Sequence, residues 1–398
     1  MEESALVRST HRASHAHFRG FDGLRAVAIL LVILWHGATT TRFPTGALGP
    51  LRPLVAMGWA GVDLFFALSG FLITALILRE ERRAEATVGQ ARFSLRRFYL
   101  RRALRILPVF YAVFFLNTYL FSGFLPSVEG RRVLDSASPL GLWPYATFWG
   151  NYFAAYHPHF GRGVVFPGTA YAVLWSLCVE EHFYLLWPSF LALVKPWRQR
   201  IGAAVVACLI MAILRFVSQS APSGDPSSIP QLSHLRMDSI LWGAVGAILI
   251  DRIPSRAMPR RLALAVGAGM IVWLVARGDL TAVSRPSALG IAIGLTLLAL
   301  VSTVLLVELI KVPDSWLARA LEWAPIAWVG RLSYAMYLIH FQAIDLGRQL
   351  VFSTPRAPTL TNFLLVQAVF VLLSVAGAAV LHILVERPFL RLKDRFGG

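Results

Sequence analysis

Residues 21–36 read FDGLRAVAILLVILWH. An acid and a base, Asp22 and Arg25, precede ten uncharged and nearly all apolar residues, and a histidine closes the run. On an α-helix eleven residues turn through about 1100°, only ~20° past three whole turns, so Arg25 and His36 share one face ~16 Å apart along the axis. A guanidinium and an imidazole on one stripe of a membrane-length helix are costly in lipid and belong against a polar interior. The stretch therefore predicts a helical bundle around a polar cavity, with the rest of the chain as its wall.

Composition agrees. The 398 residues are 57% hydrophobic and 15% charged, with mean hydropathy +0.62, where a soluble domain carries roughly 25% charged residues. Apolar runs alternate with short polar loops, which excludes a soluble enzyme and predicts an all-α, polytopic membrane bundle of about ten transmembrane helices. The expected spans are 22–41, 58–78, 106–125, 171–194, 201–219, 236–250, 262–277, 287–310, 325–344 and 362–385. Segment 140–156, LGLWPYATFWGNYFAAY, is read as re-entrant or interfacial rather than as a further span.

The net charge of +17 does not indicate nucleic acid, because the arginines sit in loops between hydrophobic spans and no nucleic-acid motif accompanies them. Such loops face the cytoplasm and anionic lipid headgroups, which are the expected membrane partner. Nine arginines fall between Arg79 and Arg105, whereas the segment 221–234, APSGDPSSIPQLSH, has no lysine or arginine. By the positive-inside rule both termini are cytoplasmic, in the inner membrane. Residues 1–20 are read as a disordered basic tail, 21–391 as the membrane domain and 392–398 as a short cytoplasmic tail. No cleavable leader is recognised. Cys178 and Cys208 lie in apolar runs and fit buried small hydrophobes, and no metal is expected.

With that topology, depth counted at 1.5 Å per residue gathers two sets of polar groups. Towards the outer side lie His36, Asp63, Glu180 or its neighbour Glu181, His340, and the pair Arg236 and Asp238. Adjacent residues on a helix point ~100° apart, so only one of the two glutamates faces the cavity, and Glu180 is favoured. At the inner side lie Arg25 and the cluster Arg101, Arg102 and Arg105, with Pro108 expected at a helix start. Three arginines at i, i+1 and i+4 put at least two guanidinium groups on one face, a pattern suited to phosphate. Ser69, in SGFL, is read as a small packing residue, since no nucleophile elbow surrounds it.

Seven elements occur in order: FDGLRAVAILLVILWH, GWAGVDLFFALSGFLIT, RRALRILPVFY, WSLCVEEHFYLLWP, the Arg236/Asp238 pair in RMDSILWG, GRLSYAMYLIH and VERP. Together they resemble the family-3 membrane acyltransferases, which include O-antigen and exopolysaccharide O-acetylases, and the resemblance runs over roughly residues 18 to 391. It implies transfer of an acyl group, usually acetyl from acetyl-CoA, to a hydroxyl of a carbohydrate or similar acceptor. It also implies that Arg25 and His36 are required and that Arg102 and Arg105 belong to a donor-binding motif. Trp175, Ser176 and Glu180 match the family pattern, with Tyr184 beside them as a supporting residue; His182 stands where many members have glutamine.

Acyl transfer needs a base for the acceptor proton, and His36 is the natural candidate because imidazole titrates near neutrality. It could deprotonate the acceptor directly or carry the acyl group itself, with Asp63 or Glu180 fixing its tautomer. Arg25, Arg101, Arg102 and Arg105 would hold the phosphates of acyl-CoA. The rival reading is a transporter or flippase for a lipid-linked or small polar substrate; it would show internal repeats and broken helices, and neither is evident.

Overall fold

A computed structural model describes residues 18–40, 49, 52–88, 93–121, 139–156, 173–220, 231–254, 257–278, 287–351 and 359–395. Among the described residues there is no strand. In chain order the helices are α1 (Phe21–Thr40), α2 (Arg52–Ala56), α3 (Gly61–Val88), α4 (Leu95–Phe115), α5 (Pro139–Ala146), α6 (Gly150–Tyr156), α7 (Leu174–Leu193) and α8 (Trp197–Ser220). They continue with α9 (Ser233–Arg236), α10 (Asp238–Leu249), α11 (Ala257–Ala276), α12 (Ala288–Lys311), α13 (Trp316–Leu321), α14 (Ala324–Val351), α15 (Leu360–Leu381) and α16 (Arg387–Arg395). Two stretches loosen to π geometry, Leu116–Phe121 after α4 and His382–Glu386 after α15.

Side-chain caps set several starts. Ser94, Ser287, Ser315 and Thr359 each accept the backbone N–H three residues on, opening α4, α12, α13 and α15. Each satisfies one of the donors that a helix N-terminus leaves unpaired.

Among the described residues six helical segments are long and apolar enough to cross a membrane: Phe21–Thr39, Gly58–Thr87, Trp197–Ser220, Met258–Ala276, Ala288–Lys311 and Leu360–Lys393. The expectation of about ten spans is thus met by six on length and composition. The described parts of the four remaining segments are mainly helical, but α10 has only 12 residues, and α4, α7 and α14 carry charged groups of the polar interior. Segment 140–156 is not one long helix: α5 and α6 are short and joined by a turn in which Phe148 takes φ 62°. Pro108 does not start a helix. Ser94 caps α4 well upstream, and the proline lies inside it, where it withholds one backbone donor.

The tail expected over 1–20 lies outside the described residues up to position 17. Phe18 to Gly20 are packed rather than free: Phe18 stacks on Phe21 and meets Phe71 edge-on, and Arg19 pairs with Asp314 at 2.7 Å. At the other end α16 continues through the expected tail to Arg395.

Two groups of helices meet along α1 and α3. α14 packs on α1 and α15, while α3 packs on α10 and α12, with α8 and α11 outside them. The α3–α10 contact brings two backbones together. A side chain at Gly70 would strike the Ile240 carbonyl, and one at Gly243 the Ala67 carbonyl. Hydrophobic driving force between helices vanishes in lipid, so small residues that let backbones touch supply van der Waals packing instead. Hence Gly70, rather than Ser69, is the packing residue of SGFL.

Candidate active site

α1 runs unbroken from Phe21 to Thr40, which preserves the separation of ~16 Å expected between Arg25 and His36. At the His36 level α14 presents a second imidazole. His36 Nδ1 lies 3.2 Å from His340 Nε2, with ring centroids 5.0 Å apart, and Phe341 closes on His36 at 4.6 Å.

The surrounding carbonyls assign the protons. His340 Nδ1 is 2.7 Å from the Tyr337 carbonyl, which can only accept, so that nitrogen donates and Nε2 of the neutral ring accepts. His36 Nδ1 faces the Val32 carbonyl at 3.0 Å and His340 Nε2 at 3.2 Å, both acceptors, so it too carries its hydrogen. The lone pair of His36 is thereby left on Nε2, which has no hydrogen-bond partner among the described residues. One histidine thus holds the other in the tautomer that presents a base.

Below this pair, on the Arg25 side, lies a cavity of about 90 Å³ walled by α1, α3, α4, α7, α14 and the π turn at Glu386. Arg25, Arg102, Arg105 and Arg331 line it together with Glu180 and Glu386. Glu180 accepts from Ser69 at 2.9 Å and from Tyr184 at 3.0 Å, and Arg102 lies 4.0 Å above the Tyr184 ring. Among the described residues Arg25, Arg102 and Arg105 make no ion pair, and Arg102 Nε is buried without a partner; Arg331 only reaches Asp22, at 4.0 Å. Guanidinium groups gathered in one recess, more numerous than the two carboxylates Glu180 and Glu386 beside them, could hold an anion.

The far wall of the cavity is Tyr337. Its hydroxyl donates to the Val173 carbonyl at 3.0 Å and lies 2.6 Å from Ser176 Oγ, and its ring is 5.6 Å from that of His340. A single aromatic ring therefore separates the arginine cavity from the histidine pair.

Several sequence expectations change. Asp63 does not reach His36. It is fully buried against Arg236 at 3.0 Å and Ser239 at 2.9 Å, tying α3 to the α9–α10 corner. Arg236 and Asp238 do not pair with each other. Asp238 takes a two-pronged contact from Arg215, at 2.9 Å on each oxygen, and Arg215 also donates to Thr296 at 2.8 Å. Trp175 stands beneath Arg236, 5.6 Å from its guanidinium, and does not line the cavity. Arg101 turns away to Glu80 at 3.7 Å, so the arginine cluster delivers Arg102 and Arg105 alone.

Glu180 sits with the arginines rather than with His36, because depth along one helix does not say which neighbouring helices close around it. Glu181 stays outside the cavity, its Oε1 buried and unpaired.

Other participants had weak signals in the sequence. Ser69 is a hydrogen-bond donor to the cavity carboxylate, Arg331 is a basic residue two turns into α14, and Arg215 is a single charge in an apolar run. A lone arginine inside a hydrophobic span is itself a sign of a buried carboxylate partner. Among the described residues, no group of His, Cys, Asp and Glu could hold a metal ion.

A family model described as "Acyltransferase domain" matches residues 18–383. The chain is 29% identical over 344 residues to YrhL of Bacillus subtilis (strain 168), named as a candidate peptidoglycan O-acetyltransferase, covering 84% of this chain and 49% of that protein. It is 27% identical over 353 residues to the peptidoglycan O-acetyltransferase OatA of Listeria monocytogenes, covering 85% of this chain and 51% of that protein. It therefore spans about half the length of the curated relatives it matches. No solved structure matches the chain.

Proposed function

The chain belongs to the acyltransferase-domain family, and from that premise we propose that it is an integral membrane O-acyltransferase of the inner membrane, its termini cytoplasmic. It takes an acyl group, acetyl first, from cytoplasmic acyl-CoA and passes it to a carbohydrate hydroxyl. The relatives named for peptidoglycan O-acetyltransfer support an acetyl donor and a carbohydrate acceptor. Its basic inner loops meet anionic lipids.

The observation that carries the reading is the arginine cavity ending one ring short of the histidine pair. Arg25, Arg102, Arg105 and Arg331 bind the donor's phosphates, and the cavity takes the thin arm that bears the thioester. With room for only several waters, it suits a slender chain rather than a sugar.

At the far end His36 Nε2 removes the proton of the acceptor hydroxyl. The acceptor oxygen attacks the thioester carbonyl carbon, the carbon–sulfur bond breaks, and the imidazolium returns the proton to the departing thiolate. The products are an O-acyl ester and free coenzyme A thiol. His340 keeps the Nδ1 proton of His36 engaged throughout, so the charge formed on His36 has a fixed acceptor beside it.

The test is purified protein in lipid nanodiscs with acetyl-CoA labelled in the acetyl group and a chitotetraose acceptor. Label is expected on the sugar as an alkali-labile ester. Flux of substrate across the bilayer without ester formation would overturn the reading.

A further inference from the structure

Ser176, Glu180 and Tyr184 stand at i, i+4 and i+8 on one face of α7, and all three line the arginine cavity. At 1.5 Å per residue each step climbs ~6 Å along its wall. Ser176 meets the Tyr337 hydroxyl at 2.6 Å, so it marks the end next to the histidine pair. Tyr184 has Arg102 4.0 Å above its ring, so it marks the guanidinium end. Glu180 lies between the two.

A carboxylate at this place repels the phosphates that the arginines attract, and it needs another purpose. Among the described residues Glu180 makes no ion pair; its two oxygens accept instead from Ser69 at 2.9 Å and from Tyr184 at 3.0 Å. The other groups of the cavity wall are engaged elsewhere. Glu386 is tied at 2.7 Å to His382 of its own π turn, and the hydroxyls of Tyr334 and Tyr337 donate to the Ile106 and Val173 carbonyls. An ionised carboxylate has about four lone-pair sites and no proton to give. Ser69 and Tyr184 fill two of them, so Glu180 keeps acceptor capacity while α3 and α7 fix its direction. The residue is half-buried and lines the cavity, so the open acceptor faces the space that a ligand enters.

Such an acceptor takes an N–H or O–H. The arm of acyl-CoA carries a hydroxyl and two amides beyond its diphosphate, and two methylenes separate the last amide nitrogen from the sulfur. With the phosphates on the arginines and the thioester at the Tyr337 end, that amide falls between them, at the level of Glu180. A hydrogen bond to an ionised acceptor is roughly twice as strong as one between neutral groups.

We propose that Glu180 accepts the arm's amide N–H nearest the thioester, with Ser69 and Tyr184 holding the carboxylate for it, and so selects donors that carry an amide-bearing arm. The proposal rests on the acyl-CoA donor of the preceding subsection.

The experiment compares wild type and Glu180→Gln, as full chains in nanodiscs, for binding of acetyl-CoA and of adenosine 3′,5′-bisphosphate, which has phosphates but no arm. Thermal melting is recorded alongside. Glutamine keeps the volume and loses the charge, so the acetyl-CoA Kd is expected to rise about tenfold relative to that of the bisphosphate. The bisphosphate Kd itself stays level or falls, since a negative charge has left the recess, and the melting temperature holds. A carboxylate that only balances the arginines would let the variant bind both ligands more tightly, and that result overturns the proposal. So does a variant that melts early and weakens both ligands alike. If wild-type protein binds neither ligand, the donor reading itself falls and takes the proposal with it, and that appears before any variant is made.

Discussion

His36 and His340 share one hydrogen bond, 3.2 Å from Nδ1 to Nε2, across the interface of α1 and α14. Since each Nδ1 is also held by a carbonyl of its own helix, the pair has one neutral arrangement, with a free lone pair on His36 Nε2 alone. In the proposed mechanism His340 acts as a positioning residue. His340→Ala is expected to lower kcat for transfer while leaving the acetyl-CoA KM unchanged, and His340→Gln, which can still accept near the same place, should recover part of the loss. Equal losses in both variants with a raised donor KM would contradict this role.

The arginine cavity separates residues that sequence spacing treats alike. Arg102→Ala and Arg105→Ala should each raise the acetyl-CoA KM about tenfold or more, the loss of one charge-assisted contact. Arg331→Ala should act in the same direction. Arg101→Ala should leave the donor KM near wild type, because its guanidinium faces Glu80. Isothermal titration or initial-rate kinetics with the four variants decides it; an effect of Arg101 as large as that of Arg102 would contradict the geometry.

Asp63 is a matter of stability. Removing one partner of a buried ion pair leaves the other charge uncompensated and typically costs about 3–5 kcal/mol. Asp63→Ala strands Arg236, which already has Nε and Nη1 unpaired, so a clear fall in melting temperature in detergent is expected. Asp238→Ala should do the same by stranding Arg215. A stable but inactive Asp63→Ala protein would instead return Asp63 to the chemistry.

Gly70 and Gly243 hold α3 and α10 at backbone contact. Gly70→Val or Gly243→Val should push the helices apart and separate Asp63 from Arg236, with poor membrane expression or early melting as the readout. Gly202 of α8 faces open space, and Gly202→Ala should be neutral or mildly stabilising.

Much of this site was legible in the sequence, for physical reasons. The Arg25–His36 spacing survived because an uninterrupted helix has fixed pitch, and Glu180 was separable from Glu181 because adjacent residues diverge by ~100°. What sequence could not supply was partnership between distant segments. Asp63 meets an arginine 173 positions away, Asp238 meets Arg215, and Arg101 finds Glu80 instead of its neighbours' cavity. Depth along single helices suggested one outer cluster of Asp63, Glu180 and His340, but side-chain direction sends them to three places: an ion pair, the cavity and the imidazole of His36.

The central claim is that His36 performs the chemistry while the arginines hold the donor. It is tested most directly by comparing wild type and His36→Ala for acetyl transfer and for equilibrium acetyl-CoA binding in the same nanodisc preparation. Removing a general base typically costs about 10²- to 10⁴-fold in rate. The expected result is a loss of that order in transfer with donor affinity unchanged. A His36→Ala protein that acetylates at a near-normal rate, or that loses donor binding instead, would contradict the account.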